Sequence, residues 1–572
     1  MVRQSPLKTF PVSRRRFLQG AIPAALSLRG LPLLAANSLA VPAFEQVSPG
    51  PSGITWVHTA GKSREKHLPE TSGAGCAFLD YDNDGWMDIY LVNSGPCDFY
   101  KPSTPLRNAL YRNNRDGTFT DVTEKAGVPG NAYGMGVAVG DYNGDGLPDI
   151  YLTQYPNSIL YRNNGDGTFT DVTAKAGVAA PGWGTSAVWF DYDNDGRLDL
   201  FVCRFADFSK AKNVHCGGRG PGEPYYCKPN VYQPMPNWLF HNNGDGTFTD
   251  VSKESGIAAS LGKAWGAVAA DLNNDGLMDI FVASDTAPNA LFMNRGRGRF
   301  EDTGLLAGVA FNPFGVARSG MGVDAADYNQ DGWTDLFVAN VDHEMYSLYR
   351  NNKDGTFEDA AVPTGIGQTT ALMSGWGLKF FDYNNDGDLD LLLSNGHPDT
   401  TIQAHHPEIR YREPLLLFEG NGKSWKNISG QCGPSFQTPI AGRGLALGDF
   451  DNDGAVDVLI TVNDGPPLLL RNTAAGKNHW LGLKLIGTKS NIDAIGAKVT
   501  YQAGDLLRHK TKTGGGSYLS SHDPRLVLGL GNRTAIDWLE VQWPLPGGKT
   551  QRYTRLPIDR YITLIEGQEG WK

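Results

Sequence analysis

The stretch DYDNDGRLDL, Asp191 to Leu200, places four carboxylates and a glycine within nine residues and then turns apolar. Its oxygen-bearing side chains stand at the first, third, fifth and ninth positions, with Gly196 at the sixth. A loop with that spacing wraps a hard cation, with the seventh backbone carbonyl as a further ligand. The glycine permits the sharp turn that brings the later ligands back around the ion. Without a cation, carboxylates this close would repel one another strongly.

The pattern D-x-[DN]-x-D-G-x-x-D occurs seven times, at start-to-start spacings of 61, 50, 80, 56, 55 and 67 residues. The expected metal ligands are Asp80, Asp82, Asp84 and Asp88, then Asp141, Asn143, Asp145 and Asp149, and Asp191, Asp193, Asp195 and Asp199. Next come Asp271, Asn273, Asp275 and Asp279, then Asp327, Asn329, Asp331 and Asp335. Asp382, Asn384, Asp386 and Asp390, with Asp449, Asp451, Asp453 and Asp457, complete the set. Calcium suits these all-oxygen loops better than magnesium, because it accepts six to eight flexible ligands, and better than zinc, which prefers nitrogen or sulfur. Up to seven structural calcium ions are expected. The loop is no EF-hand: it lacks the glutamate at position 12, and a strand follows where a helix should begin.

Repeats of this length indicate a propeller or a solenoid. Before each loop runs a small, Gly-rich strand such as GMGVAVGD, and after it an apolar strand such as DLFVCR. A tight-hairpin text then follows, as in LYRNNRDGTFTDV, Leu110–Val122. One unit is therefore four strands with the cation loop between the first and second. That is a propeller blade.

The motif resembles the FG-GAP/VCBS calcium repeat of integrin α-subunit propellers and of many bacterial secreted proteins. Near the C-terminus, NHWLGLKLIGTKSNIDAIGAKVTY, GGGSYLSSHDPRLVLGLG and IDWLEVQWPLPGGK resemble the ASPIC/UnbV domain. The combination is similar to the cartilage acidic protein family, without the EGF-like module of its animal members, since no cysteine follows Cys432. The expected architecture is all-β: a seven-bladed β-propeller over residues 44–472 and a small β-sandwich over 478–568. The seventh blade lacks a fourth strand, and Phe44–Ile54 resembles the fourth-strand text of other blades, so the N-terminal strand is expected to close the ring.

SRRRFLQG, Ser13–Gly20, precedes a moderately apolar stretch with small residues near Ala40. It resembles a twin-arginine signal over residues 1–40, which implies Tat export to the periplasm or beyond the cell. Those residues hold six Lys/Arg and no Asp/Glu, leaving 45 basic against 61 acidic residues, a net −16. Such a surface repels nucleic acid and attracts cations. No later apolar run reaches eighteen residues, so no mature transmembrane span is expected. Of six cysteines none forms a C-x-x-C pair. Cys216 and Cys227 share one loop-like segment and either close a disulfide or remain free, partly buried thiols.

In this strand order the cation loops and the fourth-strand hairpins fall on one face, and the other connections on the opposite face. Long, non-repeating loops at about 94–108, 203–237 and 395–414 place a binding site there, for a protein or glycan partner. Trp183, Arg204, Trp265, Trp376 and Asn395 are candidate ligand-binding residues at the funnel. No metalloprotease, P-loop, hydrolase-elbow or nucleotide signature is present. The leading expectation is thus a binding or adhesion module. The alternative is an enzyme at the funnel, in natural-product or glycan metabolism, with His343, His397, Asp285 and Asp342 as acid/base candidates.

Overall fold

The ninth-position aspartate of every acidic loop is also the first residue of a strand, from Asp88–Leu91 to Asp457–Val462. The computed structural model describes residues 42–217 and 224–572; the twin-arginine segment lies outside them. Up to Asn472 the chain forms seven antiparallel sheets of four strands, one of them extended by a fifth. Their inner strands are Cys76–Leu79, Tyr133–Gly140, Gly184–Phe190, Ala264–Ala270, Val323–Ala326, Gly375–Phe381 and Gly442–Gly448. Each lies against the next in chain order, and the last lies against the first. The sheets therefore close a ring, the architecture of a β-propeller.

Crowding at the axis explains the glycines of these strands. A Cβ on Gly136 would come within 3.0 Å of the Thr185 carbonyl oxygen and 3.1 Å of Leu519 Cα. At the join, Phe44–Val47 pairs antiparallel with Leu468–Asn472, Phe44 opposite Asn472. Phe44 is buried there against Phe436, ring centroids 5.5 Å apart.

One side chain ties six of the seven sheets to a neighbour. The third strand of six sheets ends in a buried asparagine: Asn113, Asn163, Asn242, Asn294, Asn351 or Asn472. Asn242 shows its full use. Its backbone N–H donates to Asp199 Oδ1 at 2.8 Å, and Nδ2 donates to Leu198 O at 2.9 Å and to Tyr142 O, in the preceding acidic loop, at 2.8 Å. Its Oδ1 accepts the Gly244 N–H at 3.0 Å. The same reach to the preceding loop recurs at Asn163, Asn294, Asn351 and Asn472, and Asn113 bonds Phe450 O at 2.7 Å across the ring join. The sixth sheet has Gly420 at this position. Asn242→Ala should cost about 2–4 kcal/mol, because it orphans several buried groups at once; urea unfolding of variant and parent measures the difference.

The C-terminal domain has two sheets. One orders Leu526–Gly531, His479–Ile486 and Tyr561–Ile565; the other orders Leu506–Thr511, Lys498–Ala503, Trp538–Gln542 and Thr550–Tyr553. They enclose a shared apolar cluster that includes Leu483, Val499, Leu528, Val541 and Leu564, as a small sandwich does. This domain sits on the acidic-loop face. Lys498 Nζ meets Asp271 at 2.8 Å, Arg508 meets Asp388 at 2.6 Å, and the Tyr561 hydroxyl donates to Asp449 at 2.7 Å.

From that domain, residues 513–525 enter the ring axis. Gly514 and Gly515 pair with Ala269 and Val268, adding the fifth strand noted above. Val323 N–H donates to Ser517 O at 3.1 Å, Leu378 N–H to Ser517 Oγ at 3.2 Å, and Ser517 Oγ to Leu445 O at 2.8 Å. Val137 N–H donates to Leu519 O at 3.0 Å, Leu519 N–H to Ser186 Oγ at 3.2 Å, and Phe78 N–H to Ser521 O at 3.2 Å. Inner strands of all seven sheets are thus engaged by one segment. Buried backbone groups at the axis need partners, and this segment supplies them. Tyr518 and Leu519 complete an apolar cluster with Trp183, Trp265 and Trp376, which fills the far end of the channel. Leu519→Ala should cost about 2–5 kcal/mol, read as a lower unfolding midpoint in urea.

On the far face, Cys216 and Cys227 form a disulfide with Cα atoms 5.3 Å apart, which settles the choice left open by the sequence. The other four cysteines are free. Among the described residues no helix is long and apolar enough to cross a membrane.

Candidate cation centres and the opposite face

Every acidic loop makes the same turn. The sixth-position glycines have φ between 84° and 95°, and the fourth position is also left-handed, which accounts for the Asn, Gln or Gly found there. In the third loop, Asp191 accepts the N–H groups of Asp195 and Gly196 at 3.1 and 2.8 Å. Asp199 accepts Tyr192 N–H at 3.1 Å and Asn242 N–H at 2.8 Å. These bonds pull the carboxylates inward toward one point. Where the third position is asparagine, its Nδ2 turns to the fifth-position aspartate, as from Asn143 to Asp145 at 2.9 Å.

Several inward oxygens have nothing to bind. Asp82 Oδ1, Asp149 Oδ2, Asp193 Oδ1, Asp335 Oδ2 and Asp451 Oδ1 are buried without a hydrogen-bond partner. Ligand atoms of Asp80, Asp82 and Asp88 lie within 4.8 Å of one another, as do those of Asp191, Asp193 and Asp195 and of Asp449, Asp451 and Asp453. Burial, with neighbouring carboxylates, raises Asp88, Asp149, Asp191, Asp279 and Asp335 to about 8. Such groups stay anionic at neutral pH only beside positive charge. The donor set therefore fits a hard divalent cation. A third-loop group of Asp193, Asp199 and His241 also gathers within 4.8 Å. His241 was not among the residues singled out from the sequence; its signal is FHNN where four other sheets read RN.

The opposite face differs from the expected open funnel. Trp183, Trp265 and Trp376 are all but fully buried and pack on Tyr518, Phe205 and Phe208, so they are channel core and no ligand pocket. Burial of so much aromatic surface outweighs leaving it for a ligand. Asn395 is also buried, accepting the Tyr346 hydroxyl at 2.7 Å and donating to Pro414 O at 2.8 Å. Arg204 is half-buried over the Trp238 ring, 5.4 Å from its centroid. The long loops cross this end: Tyr226 donates to Glu70 at 2.9 Å and Lys210 N–H to Asp98 at 2.8 Å.

Three of the four acid/base candidates converge. Asp342 lies between His397 Nε2, at 3.1 Å from Oδ1, and His343 Nδ1, at 2.7 Å from Oδ2. His397 Nδ1 accepts the Asp399 N–H at 2.9 Å, which leaves Nε2–H to donate to Asp342. Asp285 stands apart, pushed to about 7 by burial and by the nearby Glu344. Burial alone would raise Asp342, yet the His397 and His343 imidazoles hold it down to about 2. With an unfolded value of about 3.9, its contribution to stability is full above about pH 4 and lost as pH falls toward 2. The melting-temperature gap between the parent and Asp342→Asn should therefore narrow across that interval.

An acidic-loop ring capped and plugged by a small sandwich defines a class of repeat propeller protein. A family profile described as FG-GAP-like repeat matches residues 80–152, 141–202, 230–282, 271–338 and 327–393, about half of the chain. A second, ASPIC and UnbV, matches residues 487–570. The chain belongs to the FG-GAP-like repeat family and carries a C-terminal ASPIC and UnbV domain. Cartilage acidic protein 1 of Xenopus tropicalis is 29% identical over 313 residues, 51% of this chain and 44% of that protein. The Homo sapiens protein of the same name is 28% identical over 304 residues, 52% of this chain and 43% of that protein. The match spans less than half the length of these curated relatives. Among solved structures, the BP39L lectin of Burkholderia pseudomallei is 11% identical, with 70% of this chain and 96% of that chain covered at a TM-score of 0.43. An Agrocybe aegerita lectin that recognises non-reducing terminal N-acetylglucosamine is 17% identical, with 68% and 86% covered at a TM-score of 0.37. Neither likeness bears on what this chain binds.

Proposed function

We propose that this protein is an exported binding module whose acidic loops hold structural calcium and whose non-repeating face meets a protein or glycan partner. The cation part is carried by the buried, unpartnered carboxylate oxygens of the loops. Calcium there neutralises charge under the C-terminal domain and stiffens the turn between inner and second strands, with the first-, third-, fifth- and ninth-position side chains as ligands. The Tat route to the periplasm or the extracellular space agrees with the twin-arginine text and with the disulfide. The names of the cartilage acidic protein relatives point the same way.

The binding part is supported by a cavity of about 490 Å³ beside the long 94–108 loop, lined by Lys101, Arg107, Asn108 and Asn131 among prolines. With aromatic side chains filling the far end of the channel, this cleft is an open surface on that face. A second reading draws on the His397–Asp342–His343 cluster, which has the geometry of an acid/base group and would serve an enzyme of glycan or natural-product metabolism.

Removing calcium with EGTA should lower the melting temperature by roughly 10 °C or more, since several linked sites are lost together. Asp145→Ala should lower it by a smaller amount and leave partner binding at saturating calcium intact. An unchanged melt after verified metal removal rejects structural calcium. Glycan-array and surface-protein screening of the calcium-loaded chain, repeated with Arg107→Ala, tests the binding face. Turnover of a glycoside or ester substrate lost in Asp342→Ala would favour the enzymatic reading.

A further inference from the structure

The third acidic loop differs from the other six in the residue its third strand presents to it. Where the loop's third position is aspartate in the first and seventh sheets, an arginine covers it: Arg112 is 2.9 Å from Asp82 and Arg471 is 2.7 Å from Asp451. In the third sheet the corresponding residue is His241. Its Nδ1 lies 3.3 Å from Asp193 Oδ2 and 3.4 Å from Asp199 Oδ1.

These are not hydrogen bonds. His241 Nδ1 and Asp193 Oδ1 are both cut off from solvent, and neither has a hydrogen-bond partner. Asp199 is wholly buried beside them. A tetrahedral ion with bonds of about 2.0–2.1 Å spaces its donors about 3.3–3.4 Å apart, the spacing between the His241 nitrogen and each of the two carboxylates. Tyr192 stands edge-on to the imidazole, centroids 5.9 Å apart at 84°, and fixes its plane. One oxygen of the loop's fifth-position carboxylate is already engaged, because Arg197, the only basic seventh-position residue of the seven loops, donates to Asp195.

We infer that the third loop is a mixed nitrogen–oxygen site, with His241, Asp193 and Asp199 as ligands for a divalent transition ion of the zinc class. An imidazole nitrogen beside two carboxylates suits such an ion, whereas calcium takes oxygen. This rests on the reading of the loops as cation sites and separates one from the rest. The competing role for His241 is that of a protonated substitute for arginine, holding Asp193 and Asp199 by charge alone.

The two roles part on replacement by the residue used elsewhere in the ring. The full chain, saturated with Ca2+, exposed to limiting Zn2+ and desalted, should retain about one zinc ion more than His241→Arg, with equal calcium in both by elemental analysis. Zn2+ affinity should fall at least about tenfold in His241→Arg and likewise in His241→Gln, which keeps size and polarity but loses the ligand nitrogen. Melting curves in calcium confirm that the variants are folded. Equal zinc in parent and both variants overturns the site. A zinc difference that persists while neither protein holds calcium upholds it and instead removes the calcium reading of the other loops.

Discussion

The ring depends on a single repeated contact, the third-strand asparagine that reaches back to the preceding acidic loop. Each such amide satisfies its own sheet and the preceding one with one planar group, at bond lengths of 2.7–2.8 Å between sheets. Apolar packing between sheets is non-directional and tolerates sliding. A buried, fully satisfied amide does not, since any shift orphans donors and acceptors in a low-dielectric interior. The contact also couples the loops to the ring: Asn242 N–H holds Asp199, a loop carboxylate, while Nδ2 holds the carbonyl of Tyr142 in the loop before. The placement of loop carboxylates and the register of the sheets are thus parts of one structure.

The C-terminal domain is the second constraint. Its segment around Ser517–Ser521 bonds inner strands around the axis and brings Tyr518 into the aromatic cluster at the far end. The far end of the axis is spent on joining two domains. Basic side chains of the same domain rest on the acidic loops, Lys498 on Asp271 and Arg508 on Asp388. Electrostatics and packing therefore both hold the domain to the acidic-loop face, while loop residues such as Asp145 and Asp275 stay exposed. On the far face the Asp342 carboxylate binds two imidazoles, and the 203–237 loop is stapled by Cys216–Cys227.

Much of this was legible in the residues. Gly196 and its counterparts do take the left-handed turn that their position required, and the ninth-position aspartates do open strands. Phe44 does pair beside the last strand of the ring. The asparagine of RNN was visible as part of a hairpin text, yet its longest bond crosses to a loop some 80 to 100 residues earlier in the chain, as at Asn163 and Asn242, and no local pattern encodes that. The tryptophans were misread for a related reason. Their apolar rings mark either a pocket or a core, and only the arrival of Tyr518 decided for core.

By itself, then, the sequence determined the repeat: seven acidic turns, their glycines, the strands beside them and the crowded carboxylate charge. These follow from spacing within nine residues, where local sterics and Coulomb repulsion act. Only the tertiary structure decided what fills the axis, which imidazole faces which carboxylate, and which face remains open. Those outcomes rest on contacts such as Tyr518 with Ser72, 446 residues apart in the chain. Closing a loop of that length is an entropic cost that only the assembled ring offsets.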